Sequence, residues 1–287
     1  MTSALPPASS DDHPALAPAP DPSRDLPTDA KGERVAKRLA RAGVASRREI
    51  ERMIADGRVS VDGEILTSPA RNVTASNRLA VDGQPVGEAA PARLWRFHKT
   101  RGTLTTNRDP QGRPTIFDKL PPELPRVVTI GRLDFTTEGL LLLTNDGGVA
   151  RALELPQNGW LRHYRARAHG DVDPRKLAEL AEGVTVEGVH YEPIRAVLEP
   201  QQAAGTNRWI FISLREGKNR EIRKVMLHLK LDVTRLIRIA FGPFQLGKLA
   251  PGAVEEVPPT VARSLLGPLM GPTPHQQRAD AKARGRT

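Results

Sequence analysis

The sequence predicts an α+β protein: a small N-terminal α/β domain, then a larger domain built on a mainly antiparallel sheet with flanking helices. Three observations lead there. Residues 33–66 show helical spacing of apolar residues, followed by a turn signal between two short apolar runs. From Leu94 to about Pro258 strand-like runs outnumber helical ones and do not alternate regularly with them, which disfavours a doubly wound parallel sheet. The 287 residues are enough for one to three domains with a sizeable core.

Residues 1–31 are rich in Pro, Ala and Asp. They hold too little apolar surface to offset the entropy of ordering, so a disordered, mildly acidic tail is expected. In "ERVAKRLARAGVASRREIERMIADGRVSVDGEIL" (33–66), Val35 and Leu39 lie on one helical face and Gly43 ends the helix. Ser46 with Glu49 forms a capping box that starts a second helix, whose buried face is Ile50, Met53 and Ile54. Val59, Val61 and Ile65 then flank Asp62-Gly63, a hairpin signal. A second "VDG", Val81-Asp82-Gly83, is placed to close a small sheet. "QPVGEAAPA" (84–92) reads as a linker.

In the larger domain the strand candidates are Leu94–His98, Val127–Ile130, Leu140–Thr144, Tyr164–Ala168, Trp209–Leu214 and Val233–Ala240. Helices are expected at Gly148–Leu153, Pro174–Ala181 and Glu221–Leu229. The uninterrupted run Leu140–Leu143 suggests a strand covered on both faces. The chain divides into a tail (1–31), a small domain (32–90), a larger domain (91–262) and a basic disordered tail (263–287).

Composition narrows the function. Lys and Arg number 43 against 33 Asp and Glu, a formal charge of +10, and the pI is near 10.3. Such a balance points to a polyanion, most commonly a nucleic acid. No apolar run is long enough to span a membrane, and no secretory signal opens the chain. Absence of cysteine excludes thiol catalysis and thiolate metal sites and fits a cytoplasmic location. The seven histidines form no ligand pair, so no metal is expected. Neither GxGxxG after a strand nor GxxxxGK[ST] occurs, so no nucleotide cofactor is expected either.

One loop concentrates the chemistry. In "VVTIGRLDFTTEGLLLLTNDGG" (127–148) two apolar strands bracket Arg132, Asp134 and Glu138. Gly131 and Gly139 flank the loop and permit unusual backbone angles. A carboxylate on such a pinned turn is ionised at neutral pH unless strongly desolvated. It can act as nucleophile or base, and it favours an arginine nearby. Glu138 and Asp146 read as structural, capping or bonding loop amides.

Residues 33–66, through "RLARAGVASRREIERMIADGRVSVDGEIL", resemble the S4 RNA-binding domain. That resemblance implies that Arg34, Lys37, Arg38, Arg41, Arg47, Arg48 and Arg52 face RNA. Clustered cations at helical spacing neutralise phosphates without reading sequence, which agrees. "GRLDFTTEGLLLLTNDG" resembles the catalytic motif of pseudouridine synthases, in the ribosomal RNA branch that carries an S4 domain. "RHYRARAHG" (162–170) and "LREGKNREIRKVM" (214–226) match two further motifs of that family in order, and the resemblance runs from about residue 33 to 258.

The family isomerises uridine in RNA to pseudouridine. By resemblance Asp134 is the essential carboxylate, Tyr164 stacks on the extruded uracil, and Arg223 pairs with Asp134. Ala166 and Ala168 would leave room beside Tyr164. Arg132 would bind a phosphate of the target, and Ile222 would pack under the base or the aspartate. Lys218, Asn219 and Arg220 would contact RNA or brace the loop. The Lys-Pro pair of many relatives is Lys99-Thr100 here, which removes the basis for a fixed role of Lys99. Lys218 stands where arginine is common, which forgoes bidentate geometry.

"NRWIFISLREGKNREIRKVMLHLKLDVTRLIRIAFGPF" is most similar to the large-subunit synthases of the B type. The implied partner is therefore large-subunit ribosomal RNA or its assembly intermediate, acted on by a monomer. A small-subunit synthase is the near alternative. A non-catalytic S4-type RNA-binding or ribosome-assembly protein is disfavoured by the intact Asp134, Tyr164 and Arg223 set. An S4-bearing methyltransferase is disfavoured by the missing glycine-rich loop.

Overall fold

A computed structural model describes residues 32–200 and 207–267. The acidic tail and most of the basic tail lie outside the described residues. The N-terminal unit holds β1 (Glu33–Arg34), α1 (Val35–Arg41), α2 (Arg47–Ala55), β2 (Val59–Val61), β3 (Glu64–Ile65), β4 (Asn72–Val73), β5 (Leu79–Val81) and β6 (Gln84–Pro85). Ser46 accepts from the Glu49 amide at 3.3 Å, which starts α2 where the capping pattern places it. Ile50 and Ile54 join Val35 and Leu39 in one core, with Met53 at its margin.

Asp62, Gly63, Asp82 and Gly83 all have positive φ (53°, 92°, 51° and 76°). Two positive-φ residues in succession match the right-handed twist of paired strands, so each Asp-Gly turns a hairpin. The result is the sheet β3-β2-β5-β6, closed as the repeated "VDG" predicts.

The larger unit begins with β7 (Leu94–Lys99), β8 (Val128–Ile130), β9 (Thr137–Thr144), α3 (Gly147–Glu154), β10 (Arg162–His169) and α4 (Pro174–Glu179). It continues with β11 (Val184–Val186), β12 (Val189–Tyr191), β13 (Arg195–Leu198), β14 (Asn207–Leu214), α5 (Glu221–His228), β15 (Asp232–Phe241), β16 (Phe244–Gln245), β17 (Val254–Glu256) and α6 (Pro259–Leu266). The main sheet runs β13-β14-β10-β15-β9-β7-β17, with β8 on β9 and β16 on β15. The pairing of β9 with β15 is parallel; the others among the described residues are antiparallel. All six expected strands and three expected helices are present. The hairpin β11–β12 and the short strands β13, β16 and β17 come in addition to them.

Strand β9 lies between two cores. Leu141 and Leu143 enter one with Trp95, Phe97, Tyr164 and Ile222. Leu140 and Leu142 enter the other with Ile130, Val149 and Leu153. Burying each leucine is worth about 1.5–3 kcal/mol, so the strand that follows Asp134 is firmly anchored. Asp146 caps α3 by accepting from Gly148 and Val149, as a structural carboxylate should. Helix α6 buries Ala262 and Leu266 in the second core, so it runs through the division expected between residues 262 and 263. Among the described residues no helix is long and apolar enough to cross a membrane.

Candidate active site

Asp134 sits between β8 and β9, on a turn closed by the Thr137 amide donating to the Asp134 carbonyl at 3.0 Å. Gly131 and Gly139 have φ of 69° and 103°. At Gly139 glycine is required twice over. A Cβ there would lie 2.2 Å from the carbonyl oxygen of Arg238, where β15 runs parallel to β9. At the other end the Gly131 amide donates to Glu154 of α3 at 2.7 Å.

Five consecutive carbonyls of this loop accept hydrogen bonds. Leu133 O accepts from Thr105 Oγ1 at 2.9 Å and Phe135 O from the Gly102 amide at 2.8 Å. Lys99 Nζ donates to Asp134 O at 3.1 Å and to Thr137 O at 2.9 Å. Thr136 O accepts from Arg223 Nη2 at 3.4 Å. The main chain around Asp134 is thus held by four residues on two segments, 99–105 and α5, while its carboxylate keeps 32 % of its side-chain surface in solvent. Such a group is positioned before substrate arrives, which is what catalysis by a fixed carboxylate needs.

Lys99 carries most of this bracing. It is 0 % exposed, and its third donor goes to Thr100 O at 3.1 Å. Burial lowers its pKa to about 8, opposed by the charges of Asp134 and Glu138. The changed Lys-Pro pair gives no reason to expect a fixed role; the geometry assigns one. A local signal is present in the sequence: Trp95, Phe97 and Lys99 alternate on one face of β7, and the first two are buried.

The expected pairing of Arg223 with Asp134 is corrected. Arg223 spends its guanidinium on main-chain carbonyls, Val233 O at 2.7 Å and Thr136 O at 3.4 Å. Burial, then the nearby charge of Arg220, lowers its pKa, while Asp134 acts the opposite way. It therefore reaches Asp134 through the loop backbone and the field. The cation within ion-pair distance is Arg220, whose Nη1 is 3.9 Å from Asp134 Oδ2. Arg220 has a φ of 52°, left-handed for a non-glycine residue, just before α5. Asn219 beside it is exposed.

Tyr164 is 9 % exposed and belongs to the same core as Ile222 and as Leu133, the residue before Asp134. In register, Gly139 opposes Arg238 and Arg238 opposes Tyr164. Two strand spacings, roughly 10 Å, therefore separate Tyr164 from the far hinge of the loop. Ala166 and Ala168, on the same face of β10 as Tyr164, are fully buried.

Arg132 is exposed at the loop edge. Glu138 makes a two-point ion pair with Arg235 at 2.9 Å, consistent with a structural role. Lys218 turns away from the loop: it pairs with Glu216, donates to His190 O at 2.7 Å, and sits 5.5 Å over the Tyr191 ring. These contacts match the loop-bracing role expected for it, while 40 % of its side chain remains in solvent. Glu221 follows Arg220 and is 4 % exposed; burial pushes its carboxyl up to about 7.

On the N-terminal unit, Arg34, Arg47, Arg48 and Arg52 are exposed and Arg38 is half-buried. Lys37 and Arg41 are partly neutralised by Glu33, which leaves fewer cations free for phosphates than the seven expected. The Arg47 guanidinium comes within 3.8 Å of where a Cβ on Gly147 would stand, so this face approaches the start of α3.

Comparison with known proteins identifies the family. Residues 93–228 match the family described as RNA pseudouridylate synthase, and residues 33–79 match the S4 domain. A Rickettsia felis protein named as an uncharacterized RNA pseudouridine synthase is 43 % identical over 225 residues, covering 78 % of this chain and 96 % of that one. The ribosomal large subunit pseudouridine synthase B of Haemophilus influenzae is 41 % identical over 237 residues, covering 79 % of this chain and 65 % of the relative. That of Yersinia pestis is 40 % identical over 226 residues, covering 77 % and 70 %. A crystal structure of a pseudouridylate synthase shares the fold, with a TM-score of 0.56, 22 % identity, and coverage of 82 % of this chain and all of that one.

Proposed function

Because the chain belongs to the RNA pseudouridine synthase family, we propose that it isomerises a uridine of large-subunit ribosomal RNA to pseudouridine, with Asp134 as the essential carboxylate. The observation that supports this most is the loop of five held carbonyls, with a solvent-reaching carboxylate at its centre. In the reaction the bond from C1′ to N1 of uracil breaks, the base turns, a bond from C1′ to C5 forms, the C5 proton leaves and N1 takes up a proton. Attack on C1′ and removal of the C2′ proton make the same demand on Asp134: an ionised oxygen held against the ribose of a nucleotide taken out of its stack. Tyr164 would supply the surface for the base, and Arg220 and Arg132 would meet the flanking phosphates. Arg223 would hold the loop.

Residues 32–90 would supply phosphate contacts and residues 91–266 the chemistry. The reading takes a monomer as the acting species. The large-subunit target is supported by the relatives of Haemophilus influenzae and Yersinia pestis named for it. The test is to incubate the protein with ribosomal RNA transcribed without pseudouridine and to map the product by carbodiimide treatment and primer extension. A stop in large-subunit RNA is expected. A stop confined to small-subunit RNA would reassign the target, and no stop in either would overturn the enzymatic reading. Asp134→Asn should abolish the stop while RNA affinity stays within about twofold.

A further inference from the structure

Seven large hydrophobic side chains are exposed among the described residues, and six are aliphatic. The seventh is Phe135, 41 % exposed and next in sequence to Asp134. Single exposed apolar residues are ordinary on protein surfaces. This one differs in how it is held. Its own carbonyl is bound by the Gly102 amide, and the carbonyls on either side by Lys99 and Arg223. Those bonds fix the main chain and with it the direction of the Phe135 Cα–Cβ bond, so the loop that positions Asp134 also presents the ring to solvent. Arg132 and Arg101, both exposed, lie on the segments around it. An aromatic face on a cationic rim is the arrangement that binds unpaired nucleotides, through stacking and backbone neutralisation together.

We propose that Phe135 is a stacking platform for a base flanking the target uridine. This rests on the reading of Asp134 given above. Consecutive Cα atoms are about 3.8 Å apart, close to the rise of roughly 3.4 Å between stacked nucleotides. With Asp134 at the ribose of the extruded uridine, the adjacent ring meets the neighbouring nucleotide. The ring offers no hydrogen bond, so it recognises an exposed base face and tolerates any base there. It favours RNA whose flanking nucleotide is unpaired or easily unstacked, as in a loop or bulge.

The experiment uses full-length protein and pseudouridine-free large-subunit RNA transcripts. Removing a base-stacking aromatic costs roughly five- to 150-fold in affinity, so Phe135→Ala and Phe135→Leu should lower kcat/KM about tenfold or more. Phe135→Trp should recover most of that loss. In an Asp134→Asn background, the indole emission that Phe135→Trp adds to that of the native tryptophans should be quenched as RNA is added. A Leu227→Trp control, on the exposed side of α5, should not respond. Unchanged kcat/KM in both Phe135→Ala and Phe135→Leu, or unquenched added emission from Phe135→Trp while RNA is bound, would overturn the proposal and leave the enzymatic reading intact. Failure of the wild-type protein to form pseudouridine would remove both.

Discussion

Lys99 Nζ donates to the main-chain carbonyl of Asp134 at 3.1 Å from a position without solvent exposure. Its other two donors also end on carbonyls, those of Thr100 and Thr137. A neutral amine has only two N–H groups, so loss of the proton releases one of the three. With the pKa lowered to about 8 by burial, kcat should fall through an alkaline limb centred near that value. Lys99→Met should abolish the limb and lower kcat roughly a hundredfold, the range in which a displaced catalytic group costs rate. RNA affinity should hold within about threefold. A kcat pH profile and a filter-binding titration check this; an alkaline limb that persists in Lys99→Met would exclude Lys99 as its source.

Arg220 and Arg223 should separate in a stability assay. The ion pair of Arg220 with Asp134 is long and half-exposed, and such pairs contribute about 0–1 kcal/mol. Arg220→Ala should therefore leave Tm nearly unchanged while lowering kcat/KM about tenfold. Arg223→Ala strands the carbonyls of Thr136 and Val233, at about 1–3 kcal/mol for buried acceptors left unpaired. Its Tm should fall by several degrees as its activity falls. Equal Tm values for the two variants would contradict this division.

Glu221 should make stability depend on pH in an unusual direction. Its carboxyl titrates near 7 in the folded chain against an ordinary 4.5. Between these values the folded state keeps a proton that the unfolded state has released, so stability falls as pH rises, by at most about 3 kcal/mol. Glu221→Gln should remove that slope. The variant should gain over wild type between pH 5 and 7, and the gain should level off above pH 7. Urea unfolding at pH 5, 7 and 8 measures it; a gain that is largest at pH 5 would refute the assignment.

Gly139→Ala should be among the costliest single-methyl changes in the chain. The added carbon would stand 2.2 Å from Arg238 O and 2.7 Å from Arg238 N, both main-chain atoms. Strands β9 and β15 would have to part at their parallel pairing, and a φ of 103° adds strain. A loss above about 4 kcal/mol, or failure to express as folded protein, is expected. Circular dichroism melting of the purified variant decides it. Gly63→Ala, with open space around its site, serves as the comparison.

The elements with strong periodicity were readable from the sequence. Leu140–Leu143 predicted a strand with two covered faces, and the structure puts alternate leucines in two cores. Ser46 and Glu49 located the start of α2, and the two Asp-Gly pairs located their hairpins. Hairpin β11–β12 was not readable, since each strand has three residues and a mostly solvent-facing pattern. At the candidate site, the glycine-bracketed loop that carries Asp134 was legible. Its cation was not: Arg220 and Arg223 lie three apart, and only the left-handed turn at Arg220 decides which approaches the carboxylate. The burial of Lys99 was signalled by its alternation with Trp95 and Phe97, but its partner was not, since the two lie 35 residues apart.

Strand β9 alternates its leucines between two cores and begins three residues after Asp134. Loosening either core frees one face of the strand that leads from Asp134, the carboxylate proposed to react. Partial melting of the domain should therefore unsettle that loop as well. Conformational cooperativity and catalytic competence should then be lost together, and damage in either core should reach the chemistry as loss of active molecules rather than as a population of slow ones.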